Sequence, residues 1–411
     1  MTKISLCDGV IIRRESFGGL AFNRKTHITL ELDRSAFRIL ELLSALDDMS
    51  EIFKRLQDEF SGSITKANFM HVCFRLRDNR IIQYQAKDTL RTFLGDLEPW
   101  KRHNGLSTPE KIHLMVTNRC NVQCESCYVS RSPPKDIPLP LVRSLMRELG
   151  HAKVFQIALG GGEPLLHPHI QEIASLAVKN NIVPNLTTNG FLLTPDLARE
   201  FKHTLGKLQF SLNEVLDPDA IVEAHKDRWA GFNHGSAVAH DERLPFGVNL
   251  LVTRANIPFL SKIIERVTQQ GSKGVTFLQP KPSLSSDWFK RNFLTQKDLT
   301  NLRGVLQGLK NQFPKLEFNI DCSLVELMSS IPPHQLMSRG IFGCTAGRRF
   351  LTIDQDGNVF PCSFLKEKEH FKGNIQNSSM ETIWAQIQQN SNWNSQELIL
   401  GCPVMTKGKH G

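Results

Sequence analysis

The stretch RCNVQCESCY, residues 119–128, places Cys120, Cys124 and Cys127 within eight residues, spaced C-x3-C-x2-C. Three thiols this close are scattered core residues, part of a disulfide framework, or ligands to a metal. The chain holds nine cysteines, at 7, 73, 120, 124, 127, 322, 344, 362 and 402. An odd number in a long chain without a secretion signal argues against disulfides. A short loop can wrap three thiolates around a 4Fe–4S cube, leaving one iron without a protein donor and open to chemistry. Structural zinc is the rival, but it takes four ligands, usually as two separated pairs. No fourth ligand stands near this triplet, and His113 lies on the strand before it.

Two further stretches carry chemistry. In ALGGGEPLLHP, Gly160, Gly161 and Gly162 let backbone approach a ligand closely, and Glu163 adds a carboxylate. In GCTAGRRFLTIDQDGNVFPCSF, Cys344 and Cys362 flank Gly357 as C-x12-G-x4-C, and Cys402 follows later in GCP.

These residues need a scaffold. Strand-like runs at KIHLMVT, VFQIAL, VPNLTT, KLQFSL, GVNLLVT and GVTFLQ alternate with helical segments near 139–149, 169–180, 195–202, 219–228 and 260–270. Six βα units imply a parallel sheet with crossover helices. Reactive groups on such a barrel sit in loops at the C-terminal ends of the strands, which is where the cysteine triplet and the glycine run fall. Thr295 with Asp298 reads as a capping box opening a helix whose Leu299, Leu302, Leu306, Leu309 and Phe313 serve packing. From about 316 the texture changes: FLTIDQDGNVFPC reads as two strands joined through Asp356-Gly357, and SMETIWAQIQQ as a short helix.

Upstream, residues 1–88 open with the strand-like runs GVIIRRE, GGLAFN and HITLEL. Three helices follow, the first capped by Asp33, the second by Ser50 and the third starting near Thr65; RIIQY closes the segment as a strand. Three helices with β-wings suggest a winged helix-turn-helix; the plainer reading is a packing module. Residues 89–110 read as a linker. Cys7 and Cys73 read as packing residues, and Cys322 reads equally as packing or ligand.

The 411 residues suffice for two or three domains. No apolar run approaches the roughly 18–20 residues of a membrane span, and the N-terminus lacks a signal-peptide core. A cytoplasmic protein with no membrane partner is expected. The net charge of +9 is spread along the chain, and acidic and basic residues nearly balance in the first 85. No nucleic-acid partner is therefore expected. The terminal TKGKHG reads as a solvated basic tail.

Over about 105–315, the cysteine triplet with Tyr128, followed by Gly161, Gly162, Glu163 and Pro164, resembles the radical S-adenosylmethionine (SAM) enzymes. The resemblance implies an α/β fold, a partial (β/α)6 TIM-like barrel. Its 4Fe–4S cluster chelates SAM at the open iron, and its glycine-glutamate loop holds the methionyl amino group. Further SAM contacts implied by the resemblance are Thr188 and Asn189 in TTNG and Ser211 and Asn213 in FSLN; Asn213 stands where family members often carry Asp. The implied chemistry is reductive cleavage of SAM to a 5′-deoxyadenosyl radical that abstracts hydrogen. The electron would come from a donor such as flavodoxin or ferredoxin, and no catalytic acid or base is assigned.

The segment 316–411, with Cys344, Cys362 and Cys402, resembles the small α+β SPASM/twitch domain of radical SAM peptide maturases. This implies an auxiliary 4Fe–4S cluster, whose fourth ligand is Cys322, another side chain or the substrate. Residues 5–85 resemble the recognition element for ribosomally made, post-translationally modified peptides. The resemblance implies that a precursor peptide's leader adds as a strand beside the wing, about Gly19–Phe22 and Ile28–Leu32, and packs on the helix Lys66–Arg77. The expected activity is oxidative intramolecular crosslinking of that peptide, through a thioether or a C–C or C–O bond. Alternatives are peptide splicing, epimerisation or sulfatase-type maturation. A non-enzymatic alternative is an iron–sulfur winged-helix regulator.

Overall fold

The computed structural model describes residues 3–84, 105–131, 133–219, 223–282, 285–328, 343–366, 368–389 and 402–407. The expected linker and the basic tail lie mostly outside these. The described residues form two compact units, one up to Ser107 and one from Thr108 onward.

In the first unit the order is β1 (Ile4–Leu6), β2 (Val10–Glu15), β3 (Gly18–Asn23), β4 (Ile28–Asp33), α1 (Arg34–Leu42), α2 (Met49–Glu59), α3 (Lys66–Asp78) and β5 (Ile82–Tyr84). β2, β3 and β4 form an antiparallel sheet, and β1 pairs with β5. Asp33 caps α1 by accepting from the Ala36 N–H, and Thr65 caps α3 by accepting from the Asn68 N–H. α2 is capped by Asp48, which accepts from the Ser50 and Glu51 N–H groups; the expected cap, Ser50, lies inside the first turn. A carboxylate there satisfies two orphan donors and meets the positive end of the helix dipole. Phe37, Ile39 and Leu40 of α1, Ile52 and Leu56 of α2, and Phe69, Cys73 and Leu76 of α3 share one core. Each large apolar side chain buried there contributes roughly 1.5–3 kcal/mol. Burial also pushes the Cys73 thiol up to about 12, as befits a packing residue. A Cβ on Gly19 would lie 2.3 Å from the Phe37 ring, so α1 closes on β3 only because that residue is glycine. One expectation is corrected: Gly19–Phe22 belong to the middle strand, paired on both sides. Among the described residues only β2 and β4 present an outer edge in that sheet.

The second unit runs β6 (Lys111–Thr117), α4 (Leu139–His151), β7 (Gln156–Gly161), α5 (Ile170–Lys179), β8 (Val183–Thr188), α6 (Pro195–Thr204), β9 (Lys207–Leu212), α7 (Glu223–Asp241), β10 (Phe246–Leu251), α8 (Leu260–Gln269), β11 (Gly274–Leu278), α9 (Ser286–Asn292), α10 (Gln296–Gln312) and β12 (Glu317–Ile320). It continues through β13 (Phe350–Ile353), β14 (Asn358–Phe360), β15 (Gly373–Asn374), α11 (Met380–Gln389) and α12 (Pro403–Lys407). One sheet holds all ten strands, in the order β12-β11-β10-β9-β8-β7-β6-β13-β14-β15. The strands from β6 to β12 are parallel to their neighbours, β13 adds parallel to β6, and β14 returns antiparallel. The α/β fold is thus a partial, barrel-like sheet. The six expected strands are all present, and β12 adds a seventh parallel one.

Strand alternation separates core from site. Ile112 and Leu114, Phe210 and Leu212, and Val248 and Leu250 are buried, while the intervening His113, Ser211 and Asn249 line the pocket. The helix expected near 219–228 is α7, which reaches Asp241. Gly231 and Gly235 lie within it as contact points. A Cβ on Gly231 would lie 2.4 Å from the Asn189 carbonyl oxygen, and one on Gly235 2.5 Å from the Phe210 ring.

Candidate metal and cofactor site

A cavity of about 340 Å³ opens at the C-terminal ends of the parallel strands. It is lined by Cys120, Cys124 and Cys127 after β6, Gly161, Gly162 and Glu163 after β7, Thr188 and Asn189 after β8, and Ser211 and Asn213 at β9. Every sequence-predicted residue of the first site therefore faces one space.

The cysteine loop is anchored at its root. Asp136 accepts from Thr117 Oγ1 at 2.5 Å and from Arg119 Nε and Nη2 at 2.9 and 2.6 Å, while Arg119 also donates to the Leu166 carbonyl at 2.6 Å. Burial opposes the Asp136 charge, but the Thr117 and Arg119 hydrogen bonds outweigh it and hold the carboxyl below its ordinary value. At the loop's far side the Ser126 N–H donates to Glu214 Oε1 at 2.6 Å. Glu214 holds φ +59, a conformation uncommon for a non-glycine residue.

The glycine run serves packing more than ligand approach. A Cβ on Gly161 (φ +121) would lie 2.1 Å from the Thr117 carbonyl oxygen, one on Gly162 2.0 Å from that of Arg119, and one on Gly160 2.5 Å from His113 Nε2. The run thus lies flat against the root of the cysteine loop. Glu163 is 1% exposed and points inward. Its carboxylate accepts from Thr188 Oγ1 at 2.7 Å, the Asn189 N–H at 2.8 Å and the Leu165 N–H at 3.1 Å. Burial nevertheless pushes this carboxyl above its ordinary value. Asn189 in turn donates to Asn121 Oδ1 at 2.8 Å and lies 3.9 Å from Cys120 Sγ. Glu163 thereby ties the β8 loop to the cysteine loop.

The donor chemistry fits an iron–sulfur cluster. The three thiols are partly exposed to the cavity; the Val129 N–H points at Cys127 Sγ at 3.5 Å and the Asn189 amide at Cys120 Sγ. Among the described residues no three His, Cys, Asp or Glu side chains stand at the spacing of a single bound ion. The cavity also contains an orphaned acceptor: Gln279 is 5% exposed, lines the cavity after β11, and its Oε1 has no hydrogen-bond partner among the described residues.

Cys344, Cys362 and Cys402 stand apart from the cavity lining. The Asp356-Gly357 turn between β13 and β14 places Cys362: Asp354 Oδ1 accepts from the Asp356 and Asn358 N–H groups at 2.9 Å each, and Gly357 takes φ +82. Cys362 and Cys402 pack with Leu365 and Val404. Cys322, which follows β12, joins them. The hydrogen bond from Cys344 holds the Cys322 thiol below its ordinary value, and the Cys344 thiol is raised correspondingly. Cys322 also raises the thiols of Cys362 and Cys402, after burial.

The two cysteine groups are linked by aromatic and polar contacts. Tyr128, next to Cys127, packs on Phe364 with ring centroids 4.2 Å apart. His113 Nδ1 and Ser363 Oγ lie 2.7 Å apart, and Ser363 Oγ is 2.9 Å from Thr352 Oγ1. Sequence reasoning missed Gln279, Lys281, Trp288, Asp321 and Phe364 as lining residues: Gln279 ends the expected strand GVTFLQ, the other four lie beyond it, and the five share no spacing.

Residues 114–231 match the radical SAM superfamily, and residues 344–402 match the SPASM iron–sulfur cluster-binding domain. The chain carries a radical SAM domain and a SPASM domain. It is accordingly a radical SAM enzyme, with SAM and iron–sulfur clusters as its cofactors. The chain is 24% identical over 302 residues to the mycofactocin maturase MftC of Mycolicibacterium smegmatis, covering 68% of this chain and 71% of that one. It is 22% identical over 303 residues to the AdoMet-dependent heme synthase of Methanosarcina barkeri, covering 68% and 82%. The crystal structure of Streptococcus suis SuiB bound to precursor peptide SuiA overlays with a TM-score of 0.73 at 16% identity, covering 99% of this radical SAM chain and 97% of SuiB. At that identity the overlay establishes a shared fold. None of the helices among the described residues is long and apolar enough to cross a membrane.

Proposed function

We propose that this radical SAM enzyme matures a ribosomally made precursor peptide. The observation that carries the proposal is the first unit, a winged fold whose β4 has no strand on its outer side among the described residues and presents Ile28, 36% exposed. Such an edge takes an extended peptide by strand addition, with main-chain hydrogen bonds for affinity and side-chain pockets for selectivity. Support comes from the SuiB overlay over nearly the whole chain, with a precursor peptide bound in that structure, and from the maturase relative. The heme synthase relative covers the same 68% of the chain as the maturase does, but a porphyrin substrate would leave the winged unit unexplained.

In this reading residues 1–88 bind the leader, 89–110 link, 111–315 form the radical SAM barrel and 316–411 the auxiliary-cluster domain. Cys120, Cys124 and Cys127 hold the SAM-binding cluster, and Gly161, Gly162, Glu163, Thr188, Asn189, Ser211 and Asn213 build the SAM side of the cavity. Cys322, Cys344, Cys362 and Cys402 hold the auxiliary cluster. When bound, these groups supply hydrogen-atom abstraction from an unactivated C–H bond. The chain's part is to hold the thiolate loop through Asp136, Arg119 and Glu214, to fix the β8 loop through Glu163, and to shield the cavity from water. The product is an oxidative crosslink within the core peptide, a thioether or a bond from carbon to carbon or oxygen. A flavodoxin or ferredoxin supplies the electron.

The test pairs the enzyme with the peptide encoded by a short reading frame beside its gene, under anaerobic conditions with SAM and a reductant. Mass spectrometry should show loss of two hydrogens per crosslink. Deleting residues 1–88 should weaken this modification strongly while SAM cleavage persists. Undiminished modification of the full precursor by the deletion variant would refute the recognition role.

A further inference from the structure

Lys281 and Asp321 form a buried ion pair at the wall of the cavity, with side chains 7% and 15% exposed. Lys281 follows β11 and Asp321 follows β12, so adjacent parallel strands bring the two charges together. The pair also borders the auxiliary thiols. Asp321 immediately precedes Cys322, and the Asp321 N–H is anchored to the Phe277 carbonyl at 3.0 Å. Lys281 Nζ stands 5.0 Å from the centroid of Phe364, two residues beyond Cys362. The ion pair with Asp321 offsets the cost of burying the ammonium. A second ammonium, Lys366, lies 5.6 Å over Tyr128 on the side of Cys127.

A buried ion pair is a weak source of stability, since desolvation offsets most of the attraction. Its position calls for another role. One-electron reduction makes a thiolate-bound cluster one charge more negative, and charges held nearby in a low-dielectric setting act strongly on that change. We infer that the Lys281–Asp321 pair sets the reduction potential of the auxiliary cluster, the ammonium raising it and the carboxylate lowering it. The inference rests on the assignment of Cys322, Cys344, Cys362 and Cys402 to one cluster. Lys281 and Asp321 are then positioning residues. They hold the cluster at a potential suited to take the electron that a substrate carbon radical, left by hydrogen abstraction on the other side of the same wall, gives up as it closes a bond.

The test is a potentiometric titration of the anaerobically isolated full-length enzyme, followed by electron paramagnetic resonance. Dithionite serves as reductant, and the auxiliary cluster is identified as the signal that SAM leaves unaltered. Lys281→Met should shift its potential negative, Asp321→Asn should shift it positive, and the double variant should fall between. Lys281→Arg should stay at the wild-type value. Should Lys281→Met lose iron, Asp321→Asn and Lys281→Arg carry the same test without it. Wild-type potentials in the single variants at full iron content, or shifts of the same sign, would overturn the inference. A wild-type enzyme without a SAM-insensitive signal, or an unaltered one in Cys322→Ala, would instead overturn the cluster assignment beneath it.

Discussion

Glycine-to-alanine substitution in two helices of the barrel should have opposite signs. In an exposed helix interior the change stabilises by about 1 kcal/mol, because alanine loses less backbone entropy. Gly304 and Gly308 of α10 have open space around the added Cβ, so each substitution there should gain that amount. Gly231 of α7 has the same helical gain, but its Cβ would lie 2.4 Å from the Asn189 carbonyl oxygen and 2.7 Å from the Phe191 ring. The ring can rotate; the carbonyl belongs to a loop whose N–H is fixed by Glu163 and cannot retreat alone. Gly190, at φ +92, faces the same contact from the other side, its Cβ position 2.3 Å from the Gly231 carbonyl. Overpacking costs about 1–3 kcal/mol; against a backbone carbonyl oxygen at 2.4 Å the cost falls in the upper part of that range, about 2–3 kcal/mol, which exceeds the helical gain. Gly231→Ala should therefore be net destabilised by about 1–2 kcal/mol and bind SAM more weakly, since Asn189 is the residue displaced. Denaturant midpoints of the full chain, read beside Gly308→Ala, give the sign, and SAM titration gives the functional consequence. A Gly231→Ala enzyme as stable as Gly308→Ala, with wild-type SAM affinity, would refute the close-packing argument.

Two more predictions follow from buried groups. Glu163→Gln places an amide N–H₂ against fixed N–H donors of Asn189 or Leu165. Losing one charge-assisted hydrogen bond and leaving a donor unmatched should cost about 2–4 kcal/mol, read as a lower denaturant midpoint together with loss of SAM binding. Burial holds His113 at about 4, below its ordinary 6.5. A histidine lowered on folding contributes stability above pH 6.5 that is lost as pH falls towards 4, because the unfolded chain takes up a proton that the folded chain refuses. The loss is at most about 3–4 kcal/mol, less because the ring borders a cavity that solvent reaches. His113→Asn should flatten the denaturant midpoint between pH 6.5 and 4; an unchanged acid slope would assign it to other groups.

The alternation of strands and helices was legible because each strand is a short β-rich run that ends at a turn or cap, and the cysteine spacing was legible because a cluster loop is local in sequence. What escaped was whatever depends on contact between distant residues. The cap of α2 is Asp48, two residues before the expected Ser50, because the helix begins at Met49 and the Ser50 N–H is itself one of the donors Asp48 accepts. The full length of α7, to Asp241 rather than about 228, escaped as well, and nothing local reveals the Asn189 and Phe210 contacts at Gly231 and Gly235. The polar residues at alternate positions in apolar strands, His113, Ser211 and Asn249, were a readable signal of the inward face. Gln279, Lys281 and Asp321 were not, because their role arises from β11 and β12 lying side by side. The wing offered a subtler difficulty: three strands were evident, but only their pairing order shows that β3 is central and β4 free.

The central claim is that three thiolates after β6 hold a cluster with an open iron at which SAM is cleaved. The most direct measurement is 5′-deoxyadenosine formed by the anaerobic, reduced enzyme with SAM, for wild type and Cys124→Ala, alongside iron content. The account predicts product from the wild type, none above background from Cys124→Ala, and retention of the auxiliary cluster's iron in that variant. Equal product from both, or a wild-type protein that binds zinc in place of iron, would contradict it.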